Sequence, residues 1–127
     1  FSNNDKIAKV NEFDGIRISN IYHYIMMNYH NQLTLEQIAK EANMTPQAFC
    51  SYFKKRTSKT FIAFLNEVRI NEACHRLTSN DFDFISDVGF KCGFNTITHF
   101  NRVFKSIKGI SPTDYRSKYL GLVNSEA

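Results

Sequence analysis

LEQIAKEANMTPQAFCSYFK, at residues 35–54, returns in altered form as ISDVGFKCGFNTITHFNRVFK at residues 85–105. Val88 lies 50 positions after Ile38, whereas Phe100 lies 51 positions after Phe49, so the second copy has one additional residue in its middle. A repeat of this kind indicates a structural unit that occurs twice. Each copy is typical of a short helix, a turn and a longer helix with a basic end, which is the pattern of a helix-turn-helix DNA reader.

Local signals at the helix ends support this interpretation. Thr34, with Gln37 three positions later, predicts a capping box at the start of the first short helix. Thr45 is expected to cap the next helix, with Pro46 at its first position. Asn43 is expected to form the turn of the first copy. Gly93 and Asn95 are expected to do the equivalent work of turn and cap in the second copy.

The rest of the chain is also predicted to be helical, apart from its ends. Apolar residues at steps of three and four predict a helix over residues 16–29, with Asp14 as a candidate cap. Residues 61–77 predict a linker helix of roughly 25 Å, at 1.5 Å for each of about 17 residues, which is long enough to hold two readers near the ~34 Å spacing of successive major-groove faces. Ser111 and Pro112 predict the start of a closing helix, and Gly109 the end of the helix before it. Residues 1–14 are expected to be a linker or arm from a missing N-terminal region, and residues 121–127 a frayed tail.

Projection of the second helix of each copy at 100° per residue separates a buried from an outward face. Aromatic residues mark the buried face, and the outward face carries polar and basic side chains. Gln47 suits adenine edges and Arg102 suits guanine edges. The predicted base-reading residues are Gln47, Cys50, Ser51, Thr98, Asn101 and Arg102. The predicted contacts to the DNA backbone are Thr45, Lys54, Lys55, Asn95, Thr96, Lys105 and Lys108.

Composition excludes other classes of protein. The chain has 127 residues and twelve Phe, enough for one domain or for two small lobes that share a linker, and its formal net charge of +4 suits a polyanionic partner. Its longest apolar runs fall short of the ~20 residues of a membrane span. Three cysteines without a C-x-x-C pair indicate reduced thiols in the cytoplasm, and the four histidines show no metal-ligand spacing. Without a catalytic or phosphate-binding motif, neither an enzyme nor a cofactor is expected.

A longer signature runs through both copies. L-x-x-I-A and P-x-x-F-x-x-x-F-K-K occur in the first copy, and G-F, F-x-R-x-F-K and G-x-S-P-x-x-Y-R occur from residue 93 to residue 116. Together they resemble the DNA-binding domain of AraC/XylS-type bacterial transcription regulators over residues 18–119.

The resemblance implies an all-α fold of about seven helices, with two helix-turn-helix units joined by one long helix. The first unit would span about 15–59, the linker helix 60–78 and the second unit 83–119, within a domain of residues 15–120. It also implies recognition helices in successive major grooves of double-stranded DNA and RNA polymerase as a partner. A separate N-terminal domain, through which the parent protein would form a homodimer, is implied as well.

The chain departs from the family pattern at three positions. Ser51 stands where Arg is frequent, which predicts weaker base reading by the first unit. Gly89 replaces the usual Ala and should weaken its short helix by about 1 kcal/mol. Ser58 replaces a helix-ending Gly, which predicts a less clean end of the first recognition helix.

Two further hypotheses compete with DNA reading. Ser51 and the modest charge would also fit a protein-interaction module that kept the fold and lost base reading. An RNA binder would need an exposed aromatic platform for stacking, which the pattern does not provide.

Overall fold

The computed structural model describes the backbone of residues 2–79 and 83–126, and the side chains of residues 12–79 and 83–120. This part of the chain forms seven helices and no strand, which confirms the all-α prediction. The helices are α1 (Ser2–Asn28), α2 (Leu35–Glu41), α3 (Pro46–Thr57), α4 (Phe61–Thr78), α5 (Ile85–Lys91), α6 (Ile97–Lys108) and α7 (Pro112–Glu126).

The chain divides into two compact units, and the second unit includes a short segment from the first part of the chain. Unit 1 contains the residues up to Asn28 and Leu33–Phe61, and unit 2 contains Tyr29–Gln32 and the residues from Ile62 onward. Unit 1 therefore holds the α2–α3 motif and unit 2 the α5–α6 motif. The predicted linker helix corresponds to α4, of 18 residues.

Unit 1 has a core of aliphatic side chains from α1 and α2 and aromatic side chains from α3. Phe49 and Phe53 are fully buried and stack with their ring centroids 5.5 Å apart. Phe61 presents its ring edge-on to both, at 5.8 and 6.2 Å. Burying a side chain of this size contributes about 1.5–3 kcal/mol, so these rings fix the inner face of α3.

Unit 2 has a core in which α4, α5 and α6 meet, and Phe100 and Phe104 are its largest fully buried side chains. Gly89 of α5 is also buried, and a Cβ at this position would lie 2.7 Å from the Phe100 ring. Gly89 is therefore more than a weak helix former, because its small size lets α5 approach α6 closely.

The predicted caps of α2 and α3 are confirmed. The Thr34 side chain accepts a hydrogen bond from the Gln37 amide at 3.2 Å, and the Gln37 side chain accepts one from the Thr34 amide at 2.9 Å. The Thr45 hydroxyl accepts from the Ala48 amide, and Asn43 has the expected positive φ of 57°. The expectation that α3 lacks a sharp end at Ser58 was wrong. Ser58 itself adopts the left-handed conformation, with φ 63°, and α3 ends at Thr57.

In unit 2, the turn residue Gly93 is confirmed, with a φ of 104°. Asn95 was expected to cap α6, but this prediction was wrong. The cap is Thr96, whose hydroxyl accepts a hydrogen bond from the His99 amide at 3.1 Å. The additional residue of the second copy explains the shift, since it moves the cap one position along the chain. Gly109 ends α6, and the Ser111 hydroxyl accepts from the Asp114 amide at the start of α7, both as predicted.

The bounds of the terminal helices differ from those expected. α1 begins at Ser2 rather than near residue 16, so Asp14 lies inside a helix and the predicted cap was wrong. Nothing in residues 2–14 stops a helix, and Gly15 lowers helix stability by only about 1 kcal/mol. α7 continues to Glu126. Residues 1 and 127, at the ends of the predicted arm and tail, lie outside the described residues, and the roles of arm and tail remain predictions.

Candidate nucleic-acid interface

The outward face of α3 is polar and accessible. Its inner face is held by Phe49 and Phe53, so the residues about half a turn away point to solvent. Gln47 lies in the first turn of this outward face and is exposed. Four further outward side chains line one shallow depression: Cys50, Ser51, Lys54 and Lys55.

α6 presents a matching face in unit 2. Phe100 and Phe104 are fully buried, and Thr98, Asn101 and Arg102 are exposed on the other side of the helix. Arg102 also borders a depression formed with α4, whose lining includes Asn66 and Glu67 of α4 and Val103, Ser106 and Ile107 of α6.

The two faces correspond position by position. With the 51-residue offset, Gln47 matches Thr98, Cys50 matches Asn101, Ser51 matches Arg102 and Lys54 matches Lys105. Every predicted DNA contact is exposed, both the base-reading residues (Gln47, Cys50, Ser51, Thr98, Asn101, Arg102) and the backbone contacts (Thr45, Lys54, Lys55, Asn95, Thr96, Lys105, Lys108). The structure thus groups them on one helix face in each unit, with Asn95 immediately before the cap of α6.

The charges on these helices suit an anionic partner. Neither α3 nor α6 has an acidic residue in its first turn, where a carboxylate would oppose the approach of a phosphate. Basic residues occupy the last turns, with Lys54, Lys55 and Arg56 in α3 and Lys105 and Lys108 in α6. They also stabilise their own helices by complementing the helix dipole.

A polar cluster connects α3 to α1 within unit 1, and the sequence analysis missed it. The Tyr52 hydroxyl donates a hydrogen bond to Asp14 Oδ1 at 2.7 Å, and Arg56 Nη1 lies 2.8 Å from Asp14 Oδ2. The Arg17 guanidinium lies over the Tyr52 ring, 5.7 Å from its centroid. Burial, followed by the hydrogen bond to Asp14, raises the pKa of Tyr52 to about 12. Asp14 therefore contacts two side chains of α3.

A second unforeseen cluster surrounds the turn between α5 and α6 in unit 2. Arg69 of α4 is 9% exposed and donates from Nε to the Tyr29 carbonyl at 2.8 Å and from Nη2 to the Asn31 carbonyl at 2.9 Å. Its guanidinium also lies over the Phe94 ring, 5.7 Å from the centroid. Burial lowers the pKa of Arg69, and the two carbonyls compensate part of that desolvation. An arginine within the apolar stripe of α4 was the only sequence signal for this cluster.

A pair of side-chain hydrogen bonds joins Gln32 to Asn95 of the same turn. Gln32 Nε2 donates to Asn95 Oδ1, and Asn95 Nδ2 donates to Gln32 Oε1 at 3.1 Å. Asn95 was predicted to contact the DNA backbone. Its amide has a second N–H beyond the one that bonds Gln32, and this N–H can donate to a phosphate oxygen.

The cysteines and the titratable groups provide no other site within residues 12–79 and 83–120. Cys92 is fully buried, as expected of a small core residue, and burial raises its pKa to about 11. Cys50 is an exposed thiol on the outward face of α3. The described His, Cys, Asp and Glu side chains form no group that could hold a metal ion. Among the described residues, no helix is long and apolar enough to cross a membrane.

Comparison with known proteins adds sequence and structural relatives. The model of a family described as "Helix-turn-helix domain" matches residues 38–118. The MmsAB operon regulatory protein of Pseudomonas aeruginosa is 30% identical over 104 residues, which cover 82% of this chain and 34% of that protein. The chain therefore spans about a third of the length of this relative.

Two solved structures are similar in fold and sequence. The C-terminal domain of AraT, a response regulator from Geobacillus stearothermophilus, aligns with a TM-score of 0.75 and 27% identity, over 80% of this chain and 84% of that one. The DNA-binding domain of AdpA, a global transcriptional factor solved in complex with a target DNA, aligns with a TM-score of 0.75 and 25% identity, over 80% of this chain and 90% of that one.

Proposed function

The chain belongs to the AraC/XylS family of helix-turn-helix transcriptional regulators, which are not enzymes, and from this premise we propose that it binds double-stranded DNA in a sequence-specific manner. In this proposal α3 and α6 each enter a major groove, and the two grooves are successive faces of one duplex. Gln47 and Arg102 read adenine and guanine edges, and the lysines at the ends of both helices contact phosphates.

The observation that carries the proposal is the matched pair of outward faces. Side chains able to bond base edges occupy equivalent positions of α3 and α6, and all of them are exposed. A solvated helix face without function needs no such correspondence between copies. The interaction-module alternative predicts only a shared fold, and its support is limited to Ser51 and the modest charge.

Selection of bound duplexes from a random-sequence pool, at near-physiological salt, tests the proposal. We expect two short conserved blocks about one helical turn apart, one for each reading helix. Gln47→Ala should relax specificity in one block and Arg102→Ala in the other, so each variant is the control for the other. Absence of any enriched sequence would contradict sequence-specific reading.

The parent protein's activity follows from the family only as a further proposal. We propose that it acts in the cytoplasm, contacts RNA polymerase at its target promoters and forms a homodimer through a separate domain. Co-purification of RNA polymerase with the parent protein on promoter DNA would support the polymerase contact.

A further inference from the structure

Four of the six residues between α1 and α2 belong in space to the unit that holds the second helix-turn-helix motif. Tyr29–Gln32 cluster with unit 2, although their chain neighbours on both sides cluster with unit 1. We propose that Tyr29–Gln32 act as a brace for α6, and that Gln32 and Arg69 are positioning residues for base reading by Arg102. This proposal rests on the proposed DNA-binding function.

Three contacts hold the brace against the α5–α6 turn. Arg69 bonds two of its carbonyls, those of Tyr29 and Asn31, with a nearly buried guanidinium. Hydrogen bonds from a charged donor are stronger than neutral ones, so these two fix the path of the brace. The third contact is the reciprocal pair between Gln32 and Asn95.

The turn is shaped around the brace at Gly93. A Cβ on Gly93 would lie 2.5 Å from the Tyr29 carbonyl oxygen and 2.8 Å from Arg69 Nε. The backbone of the turn therefore approaches the brace more closely than any side chain would permit. Phe94, the next residue, packs against the Arg69 guanidinium on one side and against Phe100 of α6 on the other, with centroids 5.3 Å apart.

The contacts continue into the reading helix. Asn95, held by Gln32, immediately precedes Thr96, whose hydroxyl caps α6. The start of α6 is thus fixed on one side by its cap and on the other by the brace. A bidentate contact between Arg and guanine needs correct placement of the whole helix, so loosening this end should reduce discrimination by Arg102.

Gln32→Ala tests the proposal without disturbing the core, because Gln32 is exposed. Asn31→Ala is the matched control, since it changes the neighbouring side chain and keeps the carbonyl that Arg69 bonds. The measured quantity is a ratio of two dissociation constants. The dissociation constant for a duplex changed at one base pair of the Arg102 block is divided by that for the selected duplex.

We expect Gln32→Ala to lower this ratio by about fivefold, the lower end of what one good base contact contributes. The corresponding ratio for the Gln47 block, the salt dependence and the Asn31→Ala variant should stay at wild-type values. Gln32→Ala should add no further loss to Arg102→Ala, because both would remove the same contact. Arg69→Lys should lower the ratio as well, since an ammonium cannot provide the forked donors.

A merely structural role for the brace gives a different result. Gln32→Ala would then lower the melting temperature or the binding-competent fraction and leave the ratio unchanged, which would overturn the proposal. Equal losses at both blocks would also overturn it. A wild-type chain that binds DNA without sequence preference would overturn the proposed function, and the brace would fall with it.

Discussion

Ser51 and Arg102 occupy the same position of the two reading helices and differ in what they can recognise. Arginine offers two N–H groups to O6 and N7 of guanine, while a serine hydroxyl can bond several bases and discriminates little. Both side chains are exposed on the outward faces. At the residue scale, the second unit is therefore the stronger candidate for specificity.

Arg102→Ala should cost roughly 1–3 kcal/mol of binding free energy at the selected site and relax specificity in its block. Lys105→Ala, on the same helix, should weaken binding to all sequences alike, because phosphate contacts carry no base information. Titration of both variants against selected and scrambled duplexes separates the two roles. Equal losses on every duplex for both variants would contradict base reading by Arg102.

Gly89→Ala should destabilise the protein although alanine is the better helix former. The gain of about 1 kcal/mol in helix propensity is opposed by a Cβ 2.7 Å from the buried Phe100 ring, and overpacking of this kind costs about 1–3 kcal/mol. Gly15→Ala in α1 is the matched control, because its Cβ would meet nothing within 4 Å.

Denaturant unfolding measures both changes. We expect a lower free energy of unfolding for Gly89→Ala and a gain of about 0.5–1 kcal/mol for Gly15→Ala. A stabilised Gly89→Ala variant would mean that Phe100 moves aside at little cost. Gly89 would then affect the fold only by lowering the helix stability of α5.

At the scale of elements, α1 supports α3 through the hydrogen bond between Asp14 and Tyr52. Because of this contact, the free energy of unfolding should decrease as the pH rises into the alkaline range. The folded pKa of Tyr52 is about 12, above the ordinary value of 10. The unfolded state therefore loses this proton first as the pH rises, and the contribution of Tyr52 is complete below pH 10 and disappears between pH 10 and 12.

Tyr52→Phe should lower the free energy of unfolding at pH 7 by about 0.5–1.5 kcal/mol, the usual contribution of one hydrogen bond. The difference between wild type and Tyr52→Phe should shrink as the pH rises from 10 to 12. Tyr119→Phe, on the exposed part of α7, serves as the control. A difference that stays constant across this pH range would show that folding does not raise the pKa of Tyr52.

The elements also show which features could be predicted from the sequence. Thr34, Asn43 and Gly93 were predictable because each acts on the backbone beside it, and the outward faces were predictable because helical periodicity separates them from buried aromatic residues. The partners of Asp14 and Arg69 were not, since Tyr52 lies 38 positions from Asp14 and Tyr29 lies 40 positions from Arg69. Which outward side chains touch DNA stays a prediction, because no pattern in one sequence separates a solvated lysine from one that meets a phosphate.

At the scale of the whole molecule, the net charge of +4 and the position of the lysines set the salt dependence of binding. If Lys54, Lys55, Lys105 and Lys108 each neutralise one phosphate, the logarithm of the association constant should fall against the logarithm of salt concentration with a slope of about −3.6. Replacing any one of them by Ala should reduce the slope by about 0.9.

Fluorescence anisotropy across a salt series measures these slopes. Lys40→Ala, on the exposed surface of α2, is the matched control, because this lysine lies outside the two reading faces and should leave the slope unchanged. A wild-type slope near zero would contradict phosphate contacts altogether and favour an interaction module, since neutralised phosphates must release counterions. A normal wild-type slope that the four lysine variants leave unaltered would place the phosphate contacts on other cations of the chain.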